Sequence, residues 1–126
     1  MCGELNQLSL RLKFLPDEDG VVSASFQGNA LLQGYDGILH GGVISSLLDS
    51  AMAHCLFHKH IEAVTGELLV KFIMPVPYDV GLTVRGWLVN ATPPLYVLRA
   101  ELLHAGTVMA VADAKFMQRS YGNGTY

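Results

Sequence analysis

Two features of the segment GILHGGVISSLLDSAMAHC, residues 37–55, could do chemistry. The run His40-Gly41-Gly42 opens a predicted helix, where free backbone N–H groups and the helix dipole favour negative charge. Asp49 then interrupts the apolar part of the same helix, where burying a charge would cost several kcal/mol without compensation. A carboxylate can act as a general base or nucleophile, and the N–H groups can stabilise an oxyanion. The segment therefore holds the types of group that attack on a carbonyl would need.

The helix that would position these groups begins near the two glycines. Apolar residues recur at helical spacing from Val43 to Cys55, and the remaining positions leave almost no polar face, so we expect a buried helix. Gly41 and Gly42 suit its entrance better than its interior. Cationic groups at residues 58–60 suit its C-terminal end.

Alternating apolar and polar residues predict strands on both sides of this helix. The predicted strands span residues 8–14, 22–26, 65–74, 81–89, 95–103 and 107–118, separated by turns at 16–20, 75–78, 90–94 and 104–107. Residues 28–39 carry three glycines and little periodicity, which indicates a packed loop. The order β-β-α-β-β-β-β predicts an α+β domain in which a curved antiparallel sheet of about six strands wraps one long helix.

Composition limits the classes of function. The 126 residues are 51% hydrophobic and 15% charged with a net charge of −3, which fits one domain over residues 1–126 with a disordered tail at 118–126. The apolar excess favours a subunit contact. Scattered cations argue against nucleic acid as a partner. Two cysteines without framework spacing, and the lack of a leader or spanning segment, predict a cytoplasmic protein that binds no membrane.

The helix segment and the strand after it resemble a known family. HGGVISSLLDSAMA, followed by TGELLVKFIMPVP, is similar to the hotdog-fold acyl-CoA thioesterases of the phenylacetate-pathway (PaaI) type. In that family Gly-x-x-His-Gly-Gly opens the central helix, an Asp lies eight residues after the first Gly of the pair, and a Ser or Thr stands ten residues before the Pro that ends the next strand. The matching positions here are His40, Gly41, Asp49, Thr65 and Pro75, and the resemblance covers residues 8–118.

The resemblance implies hydrolysis of an acyl-CoA thioester without a metal or other cofactor. The N–H of Gly41 would bind the thioester oxygen, Asp49 would act as general base or nucleophile, and Thr65 would hydrogen-bond Asp49 or the attacking water. His40 would orient the loop. Eight helical residues separate Gly41 from Asp49 by ~12 Å, too far for one carbonyl to touch both. The family resolves this with a two-fold dimer, so we expect a homodimer or a dimer of dimers.

Substrate contacts are less well defined by the sequence. Many family members carry an Asn six residues before the motif His, where this chain has Gly34; Gln33 or Asp36 would substitute, beside Gly42 at the helix start. The apolar loop 30–39 and the inner sheet face are expected to shape a pocket for an aromatic or medium-chain acyl group. Candidate cations for the CoA nucleotide are Lys71, Arg85, Arg99 and Lys115.

Several alternatives remain open on sequence alone. Asp49 could be a structural residue satisfied by backbone N–H groups or by Ser45 or Ser46. His54, His58 and His60, with Cys55 nearby, could bind a metal, although the His-Glu-x-x-His pattern of zinc enzymes is absent. A hotdog hydratase or dehydratase using His40 with Asp49, and a non-catalytic acyl-CoA sensor, are the two rival functions.

Overall fold

One long helix lies across an antiparallel sheet in the computed structural model, which describes residues 12–28 and 37–119. The elements are β1 (Leu15–Pro16), β2 (Val22–Gln27), α1 (Gly41–His58), β3 (Ala63–Phe72), β4 (Gly81–Thr92), β5 (Leu95–His104) and β6 (Thr107–Gln118). The six strands lie in the order β1-β2-β4-β5-β6-β3, and all neighbours are antiparallel. The α+β hotdog architecture and the predicted order of elements are confirmed.

Alternating burial in the strands creates the face on which α1 packs. Leu82, Val84 and Gly86 of β4 are buried, whereas Thr83 and Arg85 between them are exposed. The sheet approaches the helix most tightly at Gly86. A Cβ atom built there would lie 2.8 Å from the carbonyl carbon of Ala51 in α1. The contact lies against the backbone of Ala51, so no flexible side chain could move aside to relieve it.

Gly86→Ala should therefore lower the free energy of unfolding by about 1–3 kcal/mol, the usual effect of overpacking a core. Chemical denaturation of the purified protein measures this change. Gly66→Ala in β3 is the matched control, because a Cβ atom there would lie 3.5 Å from the carbonyl oxygen of Lys115, an ordinary contact. Equal stability of the two variants would contradict the close approach of sheet and helix.

The helix is buried on most of its circumference, as predicted, but not on all of it. Every fourth residue from its first turn onward is exposed or half-buried, and we call this set the open row: Gly41, Ser45, Asp49, Ala53 and Phe57. Asp49 is therefore half-buried, and the expectation of a helix that is buried all round is wrong for the isolated chain. Among the residues that the structure describes, no helix is long and apolar enough to cross a membrane.

The edge strand β3 is the least protected part of the sheet. It is ten residues long, and among the described residues it pairs on one side only, with β6. Four of its five large apolar residues are more than one-third exposed: Val64, Leu68, Leu69 and Phe72. Such a long apolar edge offers unpaired backbone groups to another chain. The opposite edge is blunted, because β1 has two residues and one of them is Pro16.

Several boundaries differ from the sequence prediction. The predicted first strand at 8–14 is wrong at residues 12–14, which have no ladder pairing although Leu12 and Phe14 pack toward the core, while residues 8–11 lie outside the described residues. Strand β3 starts and ends two residues before its predicted limits, and β4 continues through Thr92, so only Pro93 and Pro94 turn the chain. The predicted tail is wrong at Gln118 and Arg119, since Gln118 ends β6 and the Arg119 N–H donates to Glu62 O at 3.0 Å.

Candidate active site

His40 caps the start of α1. Its backbone is extended (φ −60°, ψ 134°), and its Nδ1 atom accepts a hydrogen bond from the Gly42 N–H at 2.8 Å. Its carbonyl oxygen accepts from the N–H groups of Val43 and Ile44 at 3.0 and 3.2 Å. Within the described part of the chain, the Gly41 N–H is left without a partner at the positive end of the helix dipole. It is therefore available to an anionic oxygen.

The surroundings of Gly41 are apolar. A cavity of about 400 Å³ opens beside it, lined mainly by apolar residues of the preceding segment, of α1 and of the region after β3. The ring of Phe72 closes one side, and a Cβ atom built on Gly41 would lie 3.6 Å from it. Low polarity strengthens any hydrogen bond that the Gly41 N–H makes there.

Asp49 lies two helical turns further along the open row and is held by β3. The Thr65 hydroxyl donates a hydrogen bond to Asp49 Oδ1 at 2.8 Å. This bond orients the carboxylate and leaves Oδ2 for a second donor. Hydrogen bonds to a charged group contribute about 1.5–3 kcal/mol, more than those between neutral groups. The pairing of Asp49 with Thr65 was expected from the resemblance, and the two side chains are indeed in contact.

A β-bulge at Gly66 brings Thr65 to the helix. Directly paired residues share a face of the sheet. The residues of β3 opposite buried alanines of β6 are Leu68 (Ala114), Val70 (Ala112) and Phe72 (Ala110). Thr65, although odd-numbered, also lies opposite a buried residue, Phe116, because Gly66 is an extra residue between Thr65 and Glu67. The extra residue reverses the alternation and turns Thr65 toward Asp49.

The other predicted substrate residues are Gln33, Gly34, Asp36 and Gly42. Gln33, Gly34 and Asp36 lie outside the described residues. Gly42 lies at the helix start, but its N–H is taken by His40.

The candidate cations for the CoA nucleotide face away from α1. All four pair with residues on the outer face of the sheet or lie among them: Lys71, Arg85, Arg99 and Lys115. Arg99 Nε lies 2.8 Å from Asp113 Oδ1, Lys115 Nζ lies 3.8 Å from Glu67 Oε1, and Arg85 pairs with Glu101. These ion pairs connect neighbouring strands across the outer face.

The histidines at the end of α1 serve packing. His54 stacks on Phe14 with the ring centroids 4.7 Å apart, and His58 Nε2 lies 3.2 Å from Phe14 O. Burial raises the pKa of the neighbouring Cys55 thiol, which keeps it protonated. Among the described residues, no group of three or more His, Cys, Asp or Glu side chains is arranged to hold a metal ion.

The environment of His54 makes stability depend on pH. Burial first, and the neighbouring His58 second, lower the pKa of His54 below its usual value of 6.5. The unfolded chain therefore binds a proton more readily than the folded one, so stability should fall as the pH drops from about 6.5 through the folded pKa. His54→Phe keeps the ring stack and removes the titration, so its thermal unfolding midpoint should fall less on acidification. His60→Asn, at an exposed position, is the control, and its thermal unfolding midpoint should fall on acidification as much as that of the wild type.

Comparison with known families matches this chain to one of them. The sequence model of the thioesterase superfamily matches residues 36–102, which is more than half of the chain. The matched range includes α1, Asp49 and Thr65.

One curated relative shares the central part of the sequence. Acyl-coenzyme A thioesterase THEM4 of Bos taurus is 38% identical over 52 residues. The match covers 41% of this chain and 21% of that protein, so the chain spans about one-fifth of the length of the relative.

Solved structures share the fold over most of the chain. Phenylacetic acid degradation protein PaaI of Thermus thermophilus, solved as a mutant, has a TM-score of 0.80 at 21% identity and covers 92% of this chain and 99% of its own. A hypothetical thioesterase of Streptococcus pneumoniae solved with coenzyme A has a TM-score of 0.80 at 18% identity and covers 86% and 89%. At these identities the likeness establishes the fold alone.

Proposed function

Because the chain belongs to the thioesterase superfamily, we propose that it hydrolyses an acyl-CoA thioester to the free acid and CoA. The observation that carries this proposal is the pair of complementary groups on the open row of α1. Asp49, oriented by Thr65, supplies a base or nucleophile, and the unpaired Gly41 N–H supplies an oxyanion donor. The acyl-CoA thioesterase relative and the neighbour solved with coenzyme A support the substrate class.

The site is completed by a second copy of the chain. Gly41 and Asp49 are ~12 Å apart along one helix, so a carbonyl bound to one cannot reach the other. A two-fold axis across the open row brings Gly41 of one subunit opposite Asp49 of the partner subunit, and it makes this contact twice. Each dimer then has two sites.

The exposed edge of β3 supports the same two-fold arrangement. Within one chain Thr65 lies against Asp49, and Phe72 lies against Gly41. An axis that sets Gly41 opposite Asp49 of the partner subunit therefore also sets Phe72 opposite Thr65 of the partner subunit. The two β3 strands then run antiparallel about a centre between Leu68 and Leu69. This pairing would cover the apolar edge that the isolated chain leaves exposed.

The chemistry follows from these positions. Asp49 takes a proton from water, the hydroxide attacks the thioester carbon, and the oxyanion is held by the Gly41 N–H of the partner subunit. When the tetrahedral intermediate collapses, the carbon–sulfur bond breaks and the CoA thiolate takes the proton from Asp49. In the nucleophilic alternative, Asp49 attacks the carbon itself, and the carbon–sulfur bond breaks as CoA thiolate leaves. Water then hydrolyses the anhydride to the free acid and the Asp49 carboxylate, and the proton that water gives up goes to the thiolate. His40 has a positioning role, because its Nδ1 atom accepts the hydrogen bond that caps the start of α1. Since a hydratase or dehydratase would use this imidazole in the reaction, its role as a cap supports hydrolysis over hydration.

Release of free CoA thiol from a panel of acyl-CoAs tests the proposal. The panel contains benzoyl-CoA, phenylacetyl-CoA and straight-chain acyl-CoAs from acetyl to hexadecanoyl. We expect hydrolysis of the aromatic or medium-chain members. Tight binding across the panel without thiol release would overturn the proposal and identify a sensor.

Thr65→Val tests the orientation of the carboxylate. The variant keeps the shape of the side chain and removes the hydroxyl that donates to Asp49. Since hydrogen bonds to charged groups contribute about 1.5–3 kcal/mol, kcat should fall roughly 10- to 100-fold with little change in KM. Thr65→Ser, which retains the hydroxyl, should keep most of the activity. Equal kcat values for the two variants would contradict the role of Thr65.

A further inference from the structure

The open row continues beyond the reacting groups. Ala53 follows Asp49 by one helical turn, and Phe57 follows by two. Phe57 is 71% exposed, the highest value among the large apolar residues that the structure describes. Packing in the hydrophobic core therefore does not explain why a phenylalanine stands at this position.

A concave surface adjoins these two residues. One cavity of about 250 Å³ is lined by Ala53, His54, Phe57, Ile61, Glu62 and Ala63. A second, of about 540 Å³, shares Phe57, Ile61 and Glu62 with the first and extends toward His60. The lining is mainly apolar, as in pockets for small hydrophobic ligands, and it begins one helical turn after Asp49.

The two-fold arrangement leaves one direction along the helix for the acyl group. If Gly41 lies opposite Asp49 of the partner subunit, Ser45 lies opposite Ser45 of the partner subunit. From Asp49 toward Ser45, the two helices therefore lie side by side and fill the space next to the thioester. From Asp49 toward the C-terminal end of α1, the helix has passed the N-terminal end of the partner helix. The surface of Ala53 and Phe57 is free of helix contact there.

From this geometry we propose that Ala53 and Phe57 line the acyl subsite and that the Phe57 ring sets the length of acyl group accepted. The inference rests on the proposed hydrolase function. Ala53 lies ~6 Å and Phe57 ~12 Å along the axis from Asp49, so an aryl or medium-chain group fits between the carboxylate and the ring. Glu62 among the lining residues disfavours acyl groups that end in a second carboxylate.

Two substitutions move the subsite boundary in opposite directions. Phe57→Ala removes an exposed ring and should raise kcat/KM for dodecanoyl- and hexadecanoyl-CoA at least tenfold relative to octanoyl-CoA. Ala53→Leu should lower kcat/KM for octanoyl- and phenylacetyl-CoA at least tenfold relative to acetyl-CoA. One extra or missing methylene group in a hydrophobic pocket changes specificity by about 10- to 200-fold. Met117→Ala, which trims an exposed apolar residue on the outer face, is the matched control and should keep the wild-type profile.

The outcomes separate the two proposals. If the wild type hydrolyses acyl-CoAs but Phe57→Ala and Ala53→Leu keep the chain-length profile of Met117→Ala, the subsite proposal alone is overturned. A wild-type protein that releases no thiol from any member of the series would overturn the hydrolase proposal on which the subsite rests. Opposite shifts in the two profiles would support the assignment, and circular dichroism of each variant checks that the fold is retained.

Discussion

Gly41→Pro is expected to fold normally and to lose roughly 10²- to 10³-fold in kcat, the usual effect of removing one oxyanion donor. Gly41 is the first residue of α1, a position where proline is favoured because its missing N–H has no partner within the helix. His40 before it already has the extended conformation (φ −60°, ψ 134°) that precedes proline. The substitution therefore removes a single N–H at the reaction centre and leaves the helix start intact.

Gly41→Ala is the control for this variant. It retains the N–H, and its added methyl group makes an ordinary contact of 3.6 Å with the Phe72 ring. Its kcat should remain much closer to that of the wild type. Steady-state kinetics with the best substrate of the acyl-CoA panel, together with thermal unfolding, measures both variants. A proline variant as active as the alanine variant would contradict the assignment of the oxyanion donor.

Asp49→Asn is expected to reduce kcat by about 10²- to 10⁴-fold, the range for loss of a general base. The amide keeps the volume of the carboxylate, and its oxygen can still accept the hydrogen bond from Thr65. The fold and the affinity for CoA should therefore change little, since only the proton acceptor or nucleophile is lost. Steady-state kinetics and calorimetric titration with CoA measure the two effects.

Asp113→Asn serves as the control for the carboxylate. Asp113 lies on the outer face of the sheet, where it pairs with Arg99 and has a half-exposed side chain. Its loss should leave kcat unchanged. If Asp49→Asn behaved like Asp113→Asn, the carboxylate on α1 would have no part in the reaction.

Much of the fold follows from local patterns in the sequence. The apolar run after Gly42 predicts α1 to within a residue or two of its ends, because helix entrance and exit signals are local. Strands β5 and β6 begin at the predicted residues for the same reason. The residues 12–14 were misassigned because alternation records which side chains face the core. It does not record whether a partner strand is present to pair with them.

The details that position the candidate site depend on contacts between distant residues. The bulge at Gly66 could have been suspected, since Leu68, Val70 and Phe72 are even-numbered while Thr65 is odd, and one strand without a bulge cannot direct all four to one face. The open row was also visible as small residues spaced four apart around Asp49. Nothing local predicts the ion pairs of Arg99 or Lys115, because their acidic partners belong to other strands of the outer face.

Mixing the two inactive variants tests most directly whether two chains build one reaction centre. In a heterodimer of Gly41→Pro and Asp49→Asn, one site combines both substitutions, and the other combines the intact Gly41 of one chain with the intact Asp49 of its partner. Random pairing of equal amounts should therefore restore about one quarter of the wild-type activity, although each variant alone is inactive. If the mixture stays as inactive as its components despite verified subunit exchange, Gly41 and Asp49 do not act across a subunit boundary.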